Sequence, residues 1–291
     1  VLILGIIAAL WLGMRLSRPV RLLAETAEQI AVQDPEHIEP MRPSRIRELD
    51  QASDAFNRMI VGLKDRAFLR ATFGKYVPES VASQILENRT FVQEPRLRNA
   101  TVMFTDIAGF TALCEKLTPA QTIEVLNDYF SAVVEPIEAN GGVIQQYQGD
   151  AMLATFNIPT DRPGHADDAV KAAIRIEQIL SERTFGPGIS IKTRIGINTG
   201  DIVGGTVGAG GRQGYTVHGD PVNIAARLEA MNKDLGTLVL ISDATRSQTT
   251  IPVEFEMMGE LSIRGKQHTV TVYSILKHQL SHQQETAGNN Q

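Results

Sequence analysis

Two stretches near the start of the chain carry apolar residues at alternating spacings of three and four positions, which is typical of helices in a coiled coil. A Pro-rich segment, residues 32–44, separates them. Each helix is too short to bury its apolar stripe alone, so we expect a parallel dimer in which four helices form one bundle. The stripe positions are Leu16, Val20, Leu23, Ala27 and Ile30 in the first helix and Leu49, Ala52, Phe56, Met59 and Leu63 in the second.

An apolar run, residues 1–14, precedes the first stripe, and Arg15, Arg18 and Arg21 follow it. A helix that crosses a bilayer needs about 20 apolar residues, and positive residues directly after such a helix mark its cytoplasmic side. We therefore expect the end of a transmembrane helix that starts before residue 1. It would anchor the protein in the plasma membrane, the inner membrane of a bacterium, with the remainder in the cytoplasm. A buried amino-terminal helix of a soluble protein is the alternative.

From residue 97 the pattern changes to short β-rich runs that alternate with amphipathic segments. Helices are predicted at 118–139 (capped by Thr118 and Pro119), 165–180 and 220–232, strands at 101–107, 189–200 and 201–207, and a hairpin over 143–156 with its turn at Gln148-Gly149-Asp150. This order predicts an α+β domain with an antiparallel sheet built on a β-α-β-β-α-β core. The polar end of the chain, residues 279–291, is expected to be disordered.

Composition excludes two classes of function. The chain has 28 Lys and Arg against 33 Asp and Glu, a net charge of −5, so it lacks the basic surplus that nucleic-acid binding requires. Its single cysteine, Cys114, rules out an intrachain disulfide and a cysteine-based zinc site. We expect Cys114 to be a packing residue.

Acidic residues stand where predicted strands end: Asp106 in FTDIAGFT (104–111) and Asp150 in the hairpin turn. Magnesium favours one or two carboxylates together with phosphate oxygens of a substrate, and the backbone N–H groups after Asp106 could cradle a polyphosphate. Asn223 and Arg227 are four residues apart on one helix face, where they would suit a ribose and a triphosphate. Each feature alone is more commonly a turn former or a solvated helix face.

Residues 15–63 resemble a HAMP signal-transducing domain. The matching positions are Arg18-Pro19-Val20, Glu48-Leu49 and Phe56-Asn57 with Met59, whereas Arg47 and Asp50 depart from the pattern. A generic helical hairpin is the alternative. Residues 64–96 are similar to the transducer element that precedes the catalytic domain in one branch of class III nucleotide cyclases, and a plain linker is the alternative there.

Farther along, FTDIAGFT, GDAML, RIGINTG and YTVHGDPVNIAARLE occur in the order that characterises class III adenylate and guanylate cyclases, and the resemblance indicates a catalytic domain at 97–278. It implies a ferredoxin-like α+β domain whose active sites form between two identical chains. It also implies two Mg²⁺ or Mn²⁺ ions in each site, ATP as the substrate, and 3′,5′-cyclic AMP and pyrophosphate as products. A sensor preceding residue 1 would act through the HAMP domain.

The resemblance assigns a role to each motif position. Asp106, the Ile107 carbonyl and Asp150 would hold the metal ions. Asn223 would position the ribose, and Arg227 would stabilise the transition state. The triphosphate would be bound by Ala108, Gly109, Phe110, Thr111, Arg194 and Arg264.

The chain departs from the family at the positions that read the purine base. The family uses a Lys with an Asp or a Thr, and this chain has Gln146 and Thr216, the latter followed by Val217. Thr216 resembles the Thr-bearing branch of the family. A Gln amide both donates and accepts hydrogen bonds, whereas Lys only donates, so we expect ATP to be favoured with looser discrimination against GTP. The alternatives are a guanylate or dual-specificity cyclase, or a weakly active cyclase-like signalling module.

Overall fold

The computed structural model describes residues 37–44, 46–74, 95–209, 212–262 and 269–276, with a few single positions before residue 25. The chain divides into two compact units, Val1–Tyr76 and Val77–Gln291. The predicted membrane segment is described only at single positions, and all five positions of the first stripe lie outside the described residues. Most of the transducer element and all of the predicted disordered tail lie outside the described residues. Within the described part, no helix has both the length and the apolar character needed to cross a bilayer.

The first unit contains a segment without regular secondary structure, residues 38–44, followed by a long helix, α1 (Arg47–Gly74). The side chain of Asn57 on α1 holds this segment through the backbone of Met41: Asn57 Oδ1 accepts from the Met41 N–H at 2.7 Å, and Asn57 Nδ2 donates to the Met41 carbonyl at 3.0 Å. Ile38, Met41 and Ile60 are buried. The second stripe is only partly buried in a single chain: Met59 remains 44% exposed, and its other four positions are of intermediate exposure.

The second unit is an α+β domain, as predicted. Its strands are β1 (Arg96–Ile107), β2 (Gly142–Gln148), β3 (Ala151–Phe156), β4 (Thr193–Ala209), β5 (Arg212–His218), β6 (Val239–Ser242), β7 (Phe255–Ser262) and β8 (Thr269–Ile275). Its helices are α2 (Phe110–Cys114), α3 (Pro119–Ala139), α4 (His165–Glu182), α5 (Asp220–Leu235) and α6 (Asp243–Arg246).

The described strands form one sheet in the order β2-β3-β1-β4-β6-β8-β7, and β5 pairs with β4. The first four strands, with α3 and α4, form the predicted β-α-β-β-α-β core. The prediction of an antiparallel sheet is wrong at one place, because β4 and β6 run parallel. The predicted strands 189–200 and 201–207 are also one strand, β4, since Gly200 and Asp201 continue the ladder opposite Ala100 and Asn99.

Helix α3 begins where the sequence predicts. The Thr118 hydroxyl accepts from the Gln121 N–H at 3.3 Å, and the Gln121 side chain accepts from the Thr118 N–H at 3.0 Å. This capping box satisfies two backbone N–H groups that the first turn of a helix leaves unpaired. Pro119 follows at the first helical position, where its missing N–H has no cost.

The sheet separates two apolar layers. One face packs against α3 and α4, where Tyr129, Ala154 and Phe156 are buried in the largest core cluster. The opposite face packs against α5, and its core includes Leu153, Val217 and residues of α5. We call these the α3 face and the α5 face of the sheet. The even-numbered positions at the start of β4 lie on the α5 face, since Gly196 packs against α5, and one of them, Arg194, belongs to the candidate site.

Candidate active site

The carboxylates of Asp106 and Asp150 approach each other at the end of β1. Thr105 on β1 pairs with Met152 on β3, so the β2–β3 turn lies beside the last residues of β1. This turn is one residue shorter than predicted, because Gln148 pairs with Ala151 and only Gly149 and Asp150 remain between them. Gly149 has a φ of 66°, a conformation that glycine adopts without steric cost.

The electrostatics of this pair favour a bound cation. Burial, and next the charge of Asp106, raise the pKa of Asp150 to about 6, although the Asp150 and Ile107 N–H groups act in the opposite direction. Two carboxylates that repel each other suit a divalent cation, which removes the repulsion. No group of three or more His, Cys, Asp or Glu suited to a metal occurs among the described residues. Further ligands would therefore come from oxygen atoms outside such a group: a backbone carbonyl such as that of Ile107, phosphate oxygens and water.

Arg194 connects this acidic pair to a third carboxylate. It lies directly opposite Asp106 across the β1–β4 ladder, and its guanidinium forms an ion pair with the Asp106 carboxylate. Its Nε lies 3.1 Å from Oε1 of Glu229 on α5, which makes a second ion pair. The two atoms are not aligned as a hydrogen bond, so both are buried without a hydrogen-bond partner. Burial, followed by the charge of Asp106, raises the pKa of Glu229 to about 7, and Arg194 opposes this rise.

Two glycines of the RIGINTG segment allow α5 to bring Glu229 to this position. A Cβ at Gly196 would lie 2.2 Å from the Ala225 carbonyl oxygen and 2.3 Å from the Glu229 nitrogen, and one at Gly200 would lie 2.7 Å from Pro221 Cγ. Only glycine permits so close an approach of helix and strand. Sequence reasoning missed Glu229, although the glycine spacing after Arg194 was a usable signal.

The turn after Asp106 differs from the predicted phosphate cradle at one position. The Ala108 N–H donates to the Lys192 carbonyl at 2.8 Å, which extends the β1–β4 ladder by one bond. Ala108 is therefore not available as a phosphate donor through its N–H. Gly109 follows with a φ of 75° and caps the short helix α2, at whose start Phe110 and Thr111 lie.

The other predicted residues lie on α5, β2 and β5. Asn223 is exposed and Arg227 is half-buried on α5, while Gln146 is exposed on β2 and Thr216 is partly exposed on β5. Strands β2 and β5 are in contact. The side chain of Val217 is 3% exposed and belongs to the core on the α5 face, so only its backbone could contact a base. Arg264 lies outside the described residues.

Known proteins resemble this chain in both sequence and structure. The sequence matches the family described as "Adenylate and Guanylate cyclase catalytic domain" over residues 92–277 and the HAMP domain over residues 11–65. It is 33% identical over 282 residues to adenylate cyclase 1 of Rhizobium meliloti, covering 95% of this chain and 41% of that protein. It is 32% identical over 291 residues to an adenylate cyclase of Anabaena cylindrica, covering 94% and 57% respectively.

A solved bacterial light-regulated adenylyl cyclase matches the fold with a TM-score of 0.67 and 25% identity, over 76% of this chain and 65% of that one. The chain belongs to the class III adenylate and guanylate cyclase family, and a HAMP domain precedes its catalytic domain. Both predicted resemblances are thus confirmed, and the assignment to the Thr-bearing branch stays a prediction. The chain spans about half the length of the curated relatives it matches.

Proposed function

We propose that this chain is an adenylate cyclase that converts ATP to 3′,5′-cyclic AMP and pyrophosphate. The observation that carries the proposal is the convergence of Asp106 and Asp150 beside Arg194. This arrangement occurs in a chain that is similar along most of its length to two proteins named adenylate cyclase.

Each charged group has a task in this reaction. Divalent cations bound at the site would neutralise phosphate charge and activate the attacking hydroxyl. Asp106 and Asp150 would hold them, with the Ile107 carbonyl as a further ligand. Arg194 already lies against Asp106 and Glu229, so a triphosphate bound there would give its guanidinium a third anionic partner. The ribose 3′-hydroxyl would lose its proton to solvent while its oxygen attacks the α-phosphorus in line, and the bond from the α-phosphorus to the bridging oxygen would break so that pyrophosphate leaves. The reaction therefore needs no covalent intermediate with the protein.

The active site is proposed to form between two identical chains. Asp106 and Asp150 come from one chain, and Asn223 and Arg227 come from its partner, together with the base-reading residues Gln146 and Thr216. The exposure of Asn223 and Gln146 in a single chain supports this arrangement, because residues that bind substrate across an interface must be accessible before assembly. The partly exposed stripe on α1 supports dimer formation by the HAMP domain as well.

A guanylate or dual-specificity cyclase is the second candidate, and one observation favours it. Gln146 is an amide that can turn to accept a hydrogen bond from guanine as well as to donate one to adenine. The regulation we propose is that HAMP transmits the state of a preceding sensor to the catalytic domain. A membrane anchor before the HAMP domain, in a bacterial inner membrane with the catalytic domain in the cytoplasm, is part of the same proposal.

A direct assay tests the function. The purified protein is incubated with ATP or GTP and Mn²⁺, and cyclic AMP and cyclic GMP are quantified. We expect cyclic AMP formation that exceeds cyclic GMP formation. Asp150→Asn, which preserves shape and removes the charge, should reduce the activity to a few per cent at most. A protein that folds and binds Mn²⁺ but forms no cyclic nucleotide would refute the proposal, and preferential cyclic GMP formation would favour the second candidate.

A further inference from the structure

Strand β2 contains one residue more than its partner strand requires. Ile144 pairs with Ala154 on β3, and the next pair is Gln146 with Leu153, so Gln145 is the inserted residue of a β-bulge. Bulges bend a strand and redirect the side chains that follow. This bulge lies immediately before Gln146, the residue proposed to read the base.

The bulge determines which face of the sheet carries Gln146. Side chains directly opposite each other on neighbouring strands share a face. Ile144 therefore lies on the α3 face with Ala154, and Gln146 lies on the α5 face with Leu153. Without the inserted residue, the alternation of a strand would return Gln146 to the α3 face.

The residue after Gln146 confirms this assignment of faces. Tyr147 pairs with Met152, a member of the core on the α3 face. Its ring contacts that of Phe130 on α3, with the ring centroids 4.8 Å apart. The bulge thus turns Tyr147 towards α3 and Gln146 towards the face that also carries Asp106 and Arg194.

A chain of hydrogen bonds ties the bulge to β3. Gln145 Nε2 donates to Thr155 Oγ1 at 2.7 Å, and the Thr155 hydroxyl donates to the Ile158 carbonyl at 2.8 Å. Thr155 is fully buried, so its hydroxyl can act as a fixed acceptor for the Gln145 amide. Because the hydroxyl proton is directed at Ile158, the oxygen lone pairs face Gln145 and favour an amide N–H over a side chain without a donor.

We propose that Gln145 is a positioning residue for base selection. Its hydrogen bond to Thr155 holds the bulge, and the bulge holds Gln146 on the face where it can read the purine edge. Selectivity between ATP and GTP therefore depends on Gln145 and Thr155, although neither contacts the substrate. The inference rests on the proposed function, since it assumes that Gln146 reads the base.

Three variants test the inference. Gln145→Leu removes the donor, Thr155→Val removes the acceptor with little change in shape, and Thr155→Ser keeps the hydroxyl. Two quantities are measured for each: the ratio of kcat/KM for ATP to that for GTP, and the ratio of Kd values for 3′-deoxy-ATP and 3′-deoxy-GTP in the presence of Mn²⁺. The deoxy analogues lack the attacking hydroxyl, so their binding reports base selection without turnover.

We expect Gln145→Leu and Thr155→Val to shift both ratios by about threefold to tenfold, the value of one or two misplaced hydrogen bonds. Thr155→Ser should preserve them. Thr245→Val is the control. It removes an equally buried hydroxyl on α6, away from β2 and β3, so it should lower stability without changing either ratio. If Thr155→Val does not fold, Gln145→Leu carries the test, because Gln145 is only partly buried.

A double-mutant cycle shows whether Gln145 acts through Gln146. In the Gln146→Ala background, Gln145→Leu should leave both ratios unchanged. Unchanged ratios in the wild-type background, or equal shifts in both backgrounds, would overturn the inference. A wild-type protein that binds the analogues but makes no cyclic nucleotide would refute the proposed function, while the binding ratios would still test Gln145. Failure to bind either analogue would overturn both.

Discussion

Arg194 and Glu229 form an ion pair at 3.1 Å between β4 and α5, and the same guanidinium contacts Asp106. Two carboxylates, those of Asp106 and Glu229, thus share one cationic side chain, and Asp150 lies beside Asp106. Removing the positive charge of Arg194 should destabilise the fold, because each carboxylate that it contacts then loses the partner that offsets its desolvation.

This relationship predicts the stability of two variants. Arg194→Gln should lower the free energy of unfolding by about 3 kcal/mol, the cost of breaking a buried ion pair from one side. Arg194→Gln/Glu229→Gln should be more stable than the single variant, because the second change removes one of the uncompensated carboxylates. Urea unfolding at neutral pH without added metal measures both. A double variant less stable than Arg194→Gln would contradict the assignment of Glu229 as a partner of Arg194.

The carboxylate of Asp167 should make the stability of the fold depend on pH in the acid range. Burial acts to raise its pKa, but hydrogen bonds from the Thr249 and Thr250 side chains and from the backbone at 250 and 251 outweigh burial and lower it. The Thr250 N–H and hydroxyl each donate to this carboxylate at 2.6 Å. A pKa that is lower in the folded protein than in the unfolded chain stabilises the fold above the unfolded value, about 3.9, and this contribution is lost as the pH falls from that value through the lower folded-state pKa.

Asp167→Asn should therefore lower the free energy of unfolding by about 1.5–3 kcal/mol near neutral pH, the value of hydrogen bonds to a charged group. The difference between variant and wild type should shrink as the pH falls below about 4. Denaturant unfolding at a series of pH values measures it. Asp234→Asn, at an exposed position of α5, is the matched control and should show little difference. A difference that stays constant with pH would show that the charge of Asp167 is not involved.

Base selection should respond to the residue at position 146. Gln146→Lys should raise the preference for ATP, because a lysine cannot accept a hydrogen bond from the guanine N1–H. Comparing kcat/KM for ATP and GTP in the two proteins gives the answer. An unchanged ratio would mean that Gln146 does not read the purine edge.

Shared active sites predict that two inactive variants restore each other. Asp106→Ala chains still supply Asn223, and Asn223→Ala chains still supply Asp106, so each homodimer should be inactive. In a co-expressed equal mixture, half of the dimers contain both variants, and each of these keeps one intact site of two. Activity should therefore recover to about a quarter of wild type. Mixed dimers that are isolated by pull-down and yet inactive would show that the site lies within one chain.

The sequence alone was sufficient for the family, the order of the core elements and the acidic pair. These follow from local patterns: the cap at Thr118 marks the start of α3, and an Asp at a strand end and another in a neighbouring hairpin turn come together whenever the strands pair. The sequence around Asn223 and Arg227 pointed to the cyclase family, because its combination of residue types and spacings is specific to that family.

Tertiary structure alone decided three other features. The parallel pairing of β4 with β6, the contact of Glu229 with Arg194 and the inserted residue at Gln145 all join positions that are distant in sequence or depend on strand register. A periodic pattern cannot locate a bulge in VIQQYQ, because Gln145, Gln146 and Gln148 are alike in polarity, and a shift of one residue exchanges the two faces of the strand. The face on which Gln146 lies is decided by the buried hydroxyl of Thr155 and by the packing of Tyr147 on Phe130.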